Sequence, residues 1–216
     1  MKINKNKVIM YFLGLFVIAV GAALSVKSDM GVSPVTTIPY TVTYIWGVDM
    51  GITTFLFHLL LVFIEFVLLR KNFKLKNLLQ VAVGVVFGLF TSLCNYLVFL
   101  IPFPNTMLVR IMLLTLSIVA VALGLFFYVP AEIMPMAVEG LMLVISEVTG
   151  IKFSTIKIAL DIAFSLISLI VCLIAVHNMG SVGTGTVVSA ITTGLVLKVI
   201  TRLFGKKRDM LLNEKA

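Results

Sequence analysis

The densest polar stretch of this chain is Lys27-Ser28-Asp29-Met30-Gly31-Val32-Ser33-Pro34-Val35-Thr36-Thr37-Ile38-Pro39. Ser33 followed by Pro34 is the order of a helix N-cap and a proline at the first helical position. A helix that starts there aims free N–H groups and a positive dipole end at whatever lies before it, which suits an anionic group. Thr36 and Thr37 add hydroxyls in the first turn, and Asp29 adds a carboxylate just upstream. Pro39 removes one more backbone bond and kinks the element. A capped helix lying at an interface, with no ligand, is the competing reading. A second polar signal is Gly180-Ser181-Val182-Gly183-Thr184-Gly185-Thr186-Val187-Val188-Ser189. Its glycines allow close backbone approach, to a ligand or to another helix. Thr184, Gly185 and Thr186 are candidate substrate contacts on that basis. No Gly-Lys-Ser/Thr follows, so a nucleotide loop is not expected.

Ionisable residues inside apolar runs form the third group, because burying charge in lipid is costly. Lys157 and Asp161 are four apart and can pair. Asp161 lies about 12 Å into its run at 1.5 Å per residue, which makes it the leading candidate of this group. His58 and Glu65, seven apart, share one helix face. Glu132, Glu139 and Glu147 lie on a second interrupted segment, where Pro135 also falls. Carboxylates there suit a coupling proton or cation. Neither H-E-x-x-H nor G-x-S-x-G occurs, and the two histidines lack a nucleophile partner. An enzyme is therefore not expected, nor a cofactor or a metal site.

These residues must be positioned by elements of a membrane protein. Hydrophobic residues make up 61% of the 216 and charged residues 12%, against about 25% charged in a soluble domain. Candidate spans run roughly over 8–27, 51–70, 77–100, 109–129, 153–177 and 182–201. The first is too long for a signal-peptide core and more spans follow it, so it reads as uncleaved. Segments 33–47 and 133–148 are apolar but short and interrupted. Lys2, Lys5 and Lys7 form one basic cluster; Arg70, Lys71, Lys74 and Lys76 a second; Arg202, Lys206, Lys207 and Arg208 a third. All three fall on one side only if the two short segments do not cross, so the positive-inside rule gives six crossings with both termini cytoplasmic. The net charge of +8 is accounted for by these flanks. Nucleic acid is not an expected partner; the lipid bilayer is. Cys94 and Cys172 both fall within spans, which argues against a disulfide framework.

The second half also matches the first at a shift of about 101 residues, with Pro34 on Pro135, Thr54 on Thr155, Gly84 on Gly185 and Thr91 on Thr192. Near the start a shift of 103 puts Gly21 on Gly124 and Asp29 on Glu132. Three crossings per copy make the repeats inverted, the signature of many secondary transporters with a midplane site. The expected architecture is all-α: one membrane domain of six transmembrane helices, as two inverted three-helix repeats of about 8–100 and 109–201, each with a re-entrant segment, then a basic tail over 202–216.

The stretches Gly31–Pro39 and Val182–Ala190, with Gly194 and Lys198 following, resemble the YczE-like family of bacterial integral membrane proteins, relatives of the YitT and YyaS groups. The resemblance implies a bacterial cytoplasmic-membrane protein and supplies no functional residues to carry over. The leading expectation is a small secondary transporter for a small polar or anionic solute. Ser33, Thr36, Thr37, Thr184 and Thr186 would supply hydrogen bonds, and Asp161 or Glu132 would couple protons. The other expectation is a non-transporting accessory protein acting through a partner. A homodimer suits either.

Overall fold

The computed structural model describes residues 5–213; Lys2 of the first basic cluster and the tail beyond Asn213 lie outside them. All regular structure among the described residues is helical. Eight α-helices follow in order: α1 Lys5–Ser28, α2 Pro34–Trp46, α3 Met50–Leu69, α4 Leu79–Leu100, α5 Met107–Tyr128, α6 Ala137–Thr149, α7 Phe153–Val176 and α8 Thr184–Asn213. Six of them are long and apolar enough to cross a membrane. The other two, α2 and α6, have 13 residues each. At 1.5 Å per residue such a helix reaches about 20 Å, short of a hydrocarbon core of roughly 30 Å.

The six long helices match the expected spans to within a turn, except the last. The sequence predicts an end near 201 and a basic tail beyond it. Instead α8 runs on as one helix to Asn213. Its end is docked: Arg208 Nη1 donates to the Phe126 carbonyl at 3.2 Å, and its guanidinium sits 4.6 Å from the Phe126 ring centre. Leu212 is buried, and Asn6 Nδ2 donates to the Leu211 carbonyl at 3.0 Å. The four-residue spacing of Arg208 and Leu212 puts both on the face that meets α1 and α5.

The centre of the bundle is the crossing of α1 with α5. The backbones meet at glycines. A Cβ added to Gly14 would lie 2.7 Å from the Gly124 carbonyl oxygen, and one added to Gly21 would lie 3.0 Å from that of Ser117. Small residues permit this approach, and in lipid such packing replaces the missing hydrophobic drive between helices. Around the crossing, α4 packs on α1 and α8 on α5. Likewise α2 packs on α7, and α6 on α3. Asp29 and Glu132, which follow α1 and α5, both take a left-handed backbone at φ 52°. Helices α2 and α6 both end on a left-handed glycine, Gly47 and Gly150, whose N–H closes the last turn.

These pairs are 103 residues apart. From Asp29/Glu132 to the starts of α3 and α7, the elements correspond at 103 rather than at 101. Pro34 therefore corresponds to Ala137, and Pro135 lies one residue before the N-cap of α6. The difference has a local cause. Pro34 is the first helical residue of α2, whereas Tyr128 holds the start of α6, its hydroxyl accepting from the Met136 N–H. Tyr11 donates to the Met134 carbonyl at 2.8 Å beside it.

Gly124→Ala is expected to cost about 2 kcal/mol or more, because overpacking pushes apart two backbones. Gly194→Ala, whose Cβ meets open space, is expected to leave stability unchanged or slightly raised. Thermal unfolding of the two purified variants in detergent checks both.

Candidate functional site

A cavity of about 240 Å³ lies inside the bundle, and every one of the eight helices contributes to its wall. The first turn of α2 enters it with Ser33, Pro34, Val35 and Thr36, and the start of α6 with Met136, Val138 and Glu139. Thus the two short helices point their N-terminal ends at one space. Ser33 occupies the N-cap position of α2, but its hydroxyl bonds to Thr36 Oγ1 at 2.9 Å and caps no backbone N–H. Pro34 has no N–H and the Thr36 N–H donates to the Ser33 carbonyl at 2.8 Å, so the first turn of α2 offers the cavity one uncapped amide, that of Val35, at the positive end of the helix. Pro39 also leaves the Val35 carbonyl without its helical donor. At the corresponding place on α6 stands Glu139, a first-turn carboxylate that complements the helix dipole.

The remaining polar wall comes from α3, α4, α7 and α8. Lys157 Nζ pairs with Asp161 Oδ2 at 2.6 Å, and both residues line the cavity. Asp161 Oδ1, Glu139 Oε2, Thr54 Oγ1 and His58 Nδ1 are buried atoms without a hydrogen-bond partner. All four residues line this cavity. His58 is 2% exposed, with its ring stacked on Phe87 and its Cβ against Gly84. Ser189, Thr193 and Gly194 of α8 complete the lining. The rest is apolar, from Ile18 and Ala22 to Phe57, Phe87 and Val121. An apolar wall with a few convergent polar groups is the usual form of a small-molecule site.

The cavity continues into a wider vestibule of about 770 Å³, with Val35, Val138, Glu139 and Lys157 common to both. Lys74, Lys76, Asn77 and Gln80 line the vestibule, as do Glu132 and Pro135. The opposite face is closed by a seam between residues 29–33 and 178–186. Val32 N–H donates to the Ser181 carbonyl at 3.0 Å, and Gly185 N–H to the Met30 carbonyl at 2.7 Å. The hydroxyls of Thr41 and Ser181 meet at 2.6 Å. Gly31 has φ 93°, and a Cβ on it would lie 2.4 Å from the Gly183 nitrogen. Asp29 pairs with Arg110 at 3.0 Å on the same face.

Of the residues singled out in the sequence, Ser33, Pro34, Thr36 and Asp161 line the cavity. Glu132 and Pro135 line the vestibule instead. Asp29 stands apart in its exposed ion pair, which is worth at most about 1 kcal/mol. Thr37 is fully buried and donates to the Pro34 carbonyl at 2.7 Å. Thr184 is exposed, Gly185 packs on Met30 and Gly31, and Thr186 Oγ1 accepts from the Gly183 N–H at 3.1 Å. The Thr-Gly-Thr turn thus builds the seam. The polar groups that α8 gives the cavity come one and two turns later, at Ser189 and Thr193. The pairing of Lys157 with Asp161 expected from their four-residue spacing is present, and it lies at the cavity. Glu139 as the counterpart of Thr36 becomes visible only at the 103-residue offset.

The seam covers Cys172, whose thiol lies 3.7 Å from Thr41 Oγ1 and is fully buried. Gly183→Ala, with its Cβ 2.4 Å from the Met30 carbonyl oxygen, is expected to loosen the seam. Alkylation of Cys172 in a Cys94→Ser background measures this. The rate should rise about tenfold for each 1.4 kcal/mol lost from the closed state.

Comparison with known proteins agrees on the class. The chain is 27% identical over 190 residues to the "Uncharacterized membrane protein YczE" of Bacillus subtilis (strain 168), covering 87% of this chain and 82% of that one. It is 21% identical over 193 residues to the "Uncharacterized protein YyaS" of the same organism, covering 89% and 91%. No solved structure matches. The family of unknown function DUF6198 matches residues 5–202, and the chain belongs to that family of membrane proteins.

Proposed function

We propose that this protein is a small secondary transporter of the bacterial cytoplasmic membrane, moving a small polar or anionic solute through the cavity. The observation that carries the reading is the convergence of two half-length helices, by their N-termini, on one internal space lined by all eight helices. In this reading α2 and α6 are re-entrant half-helices of two inverted repeats, each with three full crossings. The 103-residue correspondence of caps and left-handed residues supports the repeat. So do the reciprocal contacts Gly14–Gly124 and Gly21–Ser117, which exchange under that offset. Inverted repeats place the substrate between broken helices near the midplane. Backbone at that depth is tolerated where protein or a water-filled space surrounds it.

The chemistry of the wall selects the solute. An anionic or carbonyl group suits the Val35 amide at the positive end of α2 with the Ser33 and Thr36 hydroxyls. Hydrogen-bond donors suit the unpartnered oxygens of Glu139 and Asp161. The closed seam and the open vestibule then form one end state of an alternating-access cycle. The basic residues beside the vestibule make it the cytoplasmic side, with both termini inside. Release of the seam opens the other end.

A thermal-shift screen of the full chain, purified in detergent, against a panel of small polar and anionic metabolites tests the reading. At least one compound should raise Tm, with its apparent affinity lowered tenfold or more by Asp161→Asn and by Thr36→Val. Such losses follow when a buried polar partner is removed, at about 1–3 kcal/mol each. No shift across the panel overturns the transport reading in favour of an accessory role.

A further inference from the structure

One carboxyl buried within a crossing helix takes no part in the cavity. Glu65 of α3 has no exposed surface. Gln80 of α4, 3% exposed, donates from Nε2 to Glu65 Oε2 at 3.0 Å. The other two oxygens of the pair, Glu65 Oε1 and Gln80 Oε1, are buried and have no partner. They lie together against Gly140 of α6. A Cβ at Gly140 would stand 2.5 Å from each of them and 2.8 Å from Gln80 Nε2. The amide and the carboxyl therefore share one small space with no side chain above it.

Two acceptor oxygens buried together with no donor leave both unsatisfied. A buried orphan costs about 1–3 kcal/mol, and a charged one more. A single proton on Glu65 Oε1 removes both deficits. The acid O–H then donates to Gln80 Oε1 while the amide N–H donates to Glu65 Oε2, closing a two-bond ring. We propose that Glu65 is a proton-binding site, held as the neutral acid in an acid–amide ring with Gln80 beneath Gly140. Among the described residues α4 presents Gln80 to the ring and α6 presents Gly140, and the charged groups that share the vestibule with Gln80 are Lys74, Lys76, Glu132, Glu139 and Lys157. Glu139, next to Gly140, lines the cavity, His58 lies two turns back on α3, and Arg70, Lys71, Lys74 and Lys76 are exposed.

The surroundings give the proton a route and a consequence. Gln80 also lines the vestibule, so the proton exchanges with solvent there. Loss of the proton sets a carboxylate oxygen against a carbonyl oxygen beneath α6, one residue from Glu139. The proton thereby acts on the helix whose first turn lines the cavity. Resting on the transport reading, this makes Glu65, rather than Asp161 or Glu132, the coupling carboxyl.

Infrared spectroscopy of the full chain in lipid nanodiscs at neutral pH tests the site. The wild type should show the C=O band of a protonated carboxylic acid that Glu65→Gln lacks. That variant keeps the ring as an amide–amide pair and so should fold. Gln80→Leu, which removes the acceptor of the acid proton, should shift the band. Thermal stability should fall as pH is raised in the wild type and fall less steeply in Glu65→Gln, where Glu139 remains. A difference between wild type and Glu65→Gln confined to carboxylate bands overturns the proposal. A silent metabolite screen beside an intact acid band removes the transport reading and leaves the proton site. Solute binding without the acid band does the reverse.

Discussion

A bilayer supplies no hydrogen bonds to the backbone, and a helix of 13 residues cannot carry both its ends to water across a hydrocarbon core. In the proposed re-entrant arrangement, helices α2 and α6 have inner ends that only protein or an enclosed polar space can meet. The fold answers this in several places. Tyr128 and Tyr11 hold the start of α6, and the Ser33–Thr36 hydroxyl pair stands at the start of α2. Both helices bury one face against longer partners, α7 for α2 and α3 for α6. What the protein leaves unmet opens into a cavity. On that proposal the site is a consequence of breaking two helices at depth.

Close backbone packing is the second condition for that arrangement. Glycines at the α1–α5 crossing bring the two central helices together, and Gly31, Gly183 and Gly185 do the same at the seam. Without such contacts the half-helices would have no walls to rest against, since lipid is as apolar as the side chains it competes with. The same economy appears at Gly140, where a missing side chain admits the Glu65–Gln80 pair between three helices.

The long helices were legible because an 18-residue apolar run has few other uses. The two interrupted segments were legible for the same reason, as runs too short and too broken to cross. Asp161 could be read from its depth, and Ser33-Pro34 from the order of cap and proline. The end of α8 was not, because a basic, polar sequence resembles a loop until Arg208 and the Leu211 carbonyl are seen to reach α5 and α1. The Thr-Gly-Thr turn was legible only as an open alternative, for a related reason. Glycine marks close approach without saying to what, and here the neighbour is the backbone of Met30 and Gly31. The ring of Glu65 and Gln80 joins residues 15 apart across two helices, and helical periodicity carries no signal for such a pair.

The last helix has a mechanical role that follows from where it is held. At one end Gly183, Gly185 and Thr186 fix it to the seam; at the other Arg208 and Leu212 fix it to the docking face near the termini of α1 and α5. Between these anchors Ile191, Leu195 and Val199 are exposed, and α7 packs on other partners. A rod of 30 residues clamped at both ends and bare along one flank carries load along its axis. From Thr184 to the Arg208 clasp the helix runs about 36 Å, so this one rod joins the seam to the opposite end of the bundle.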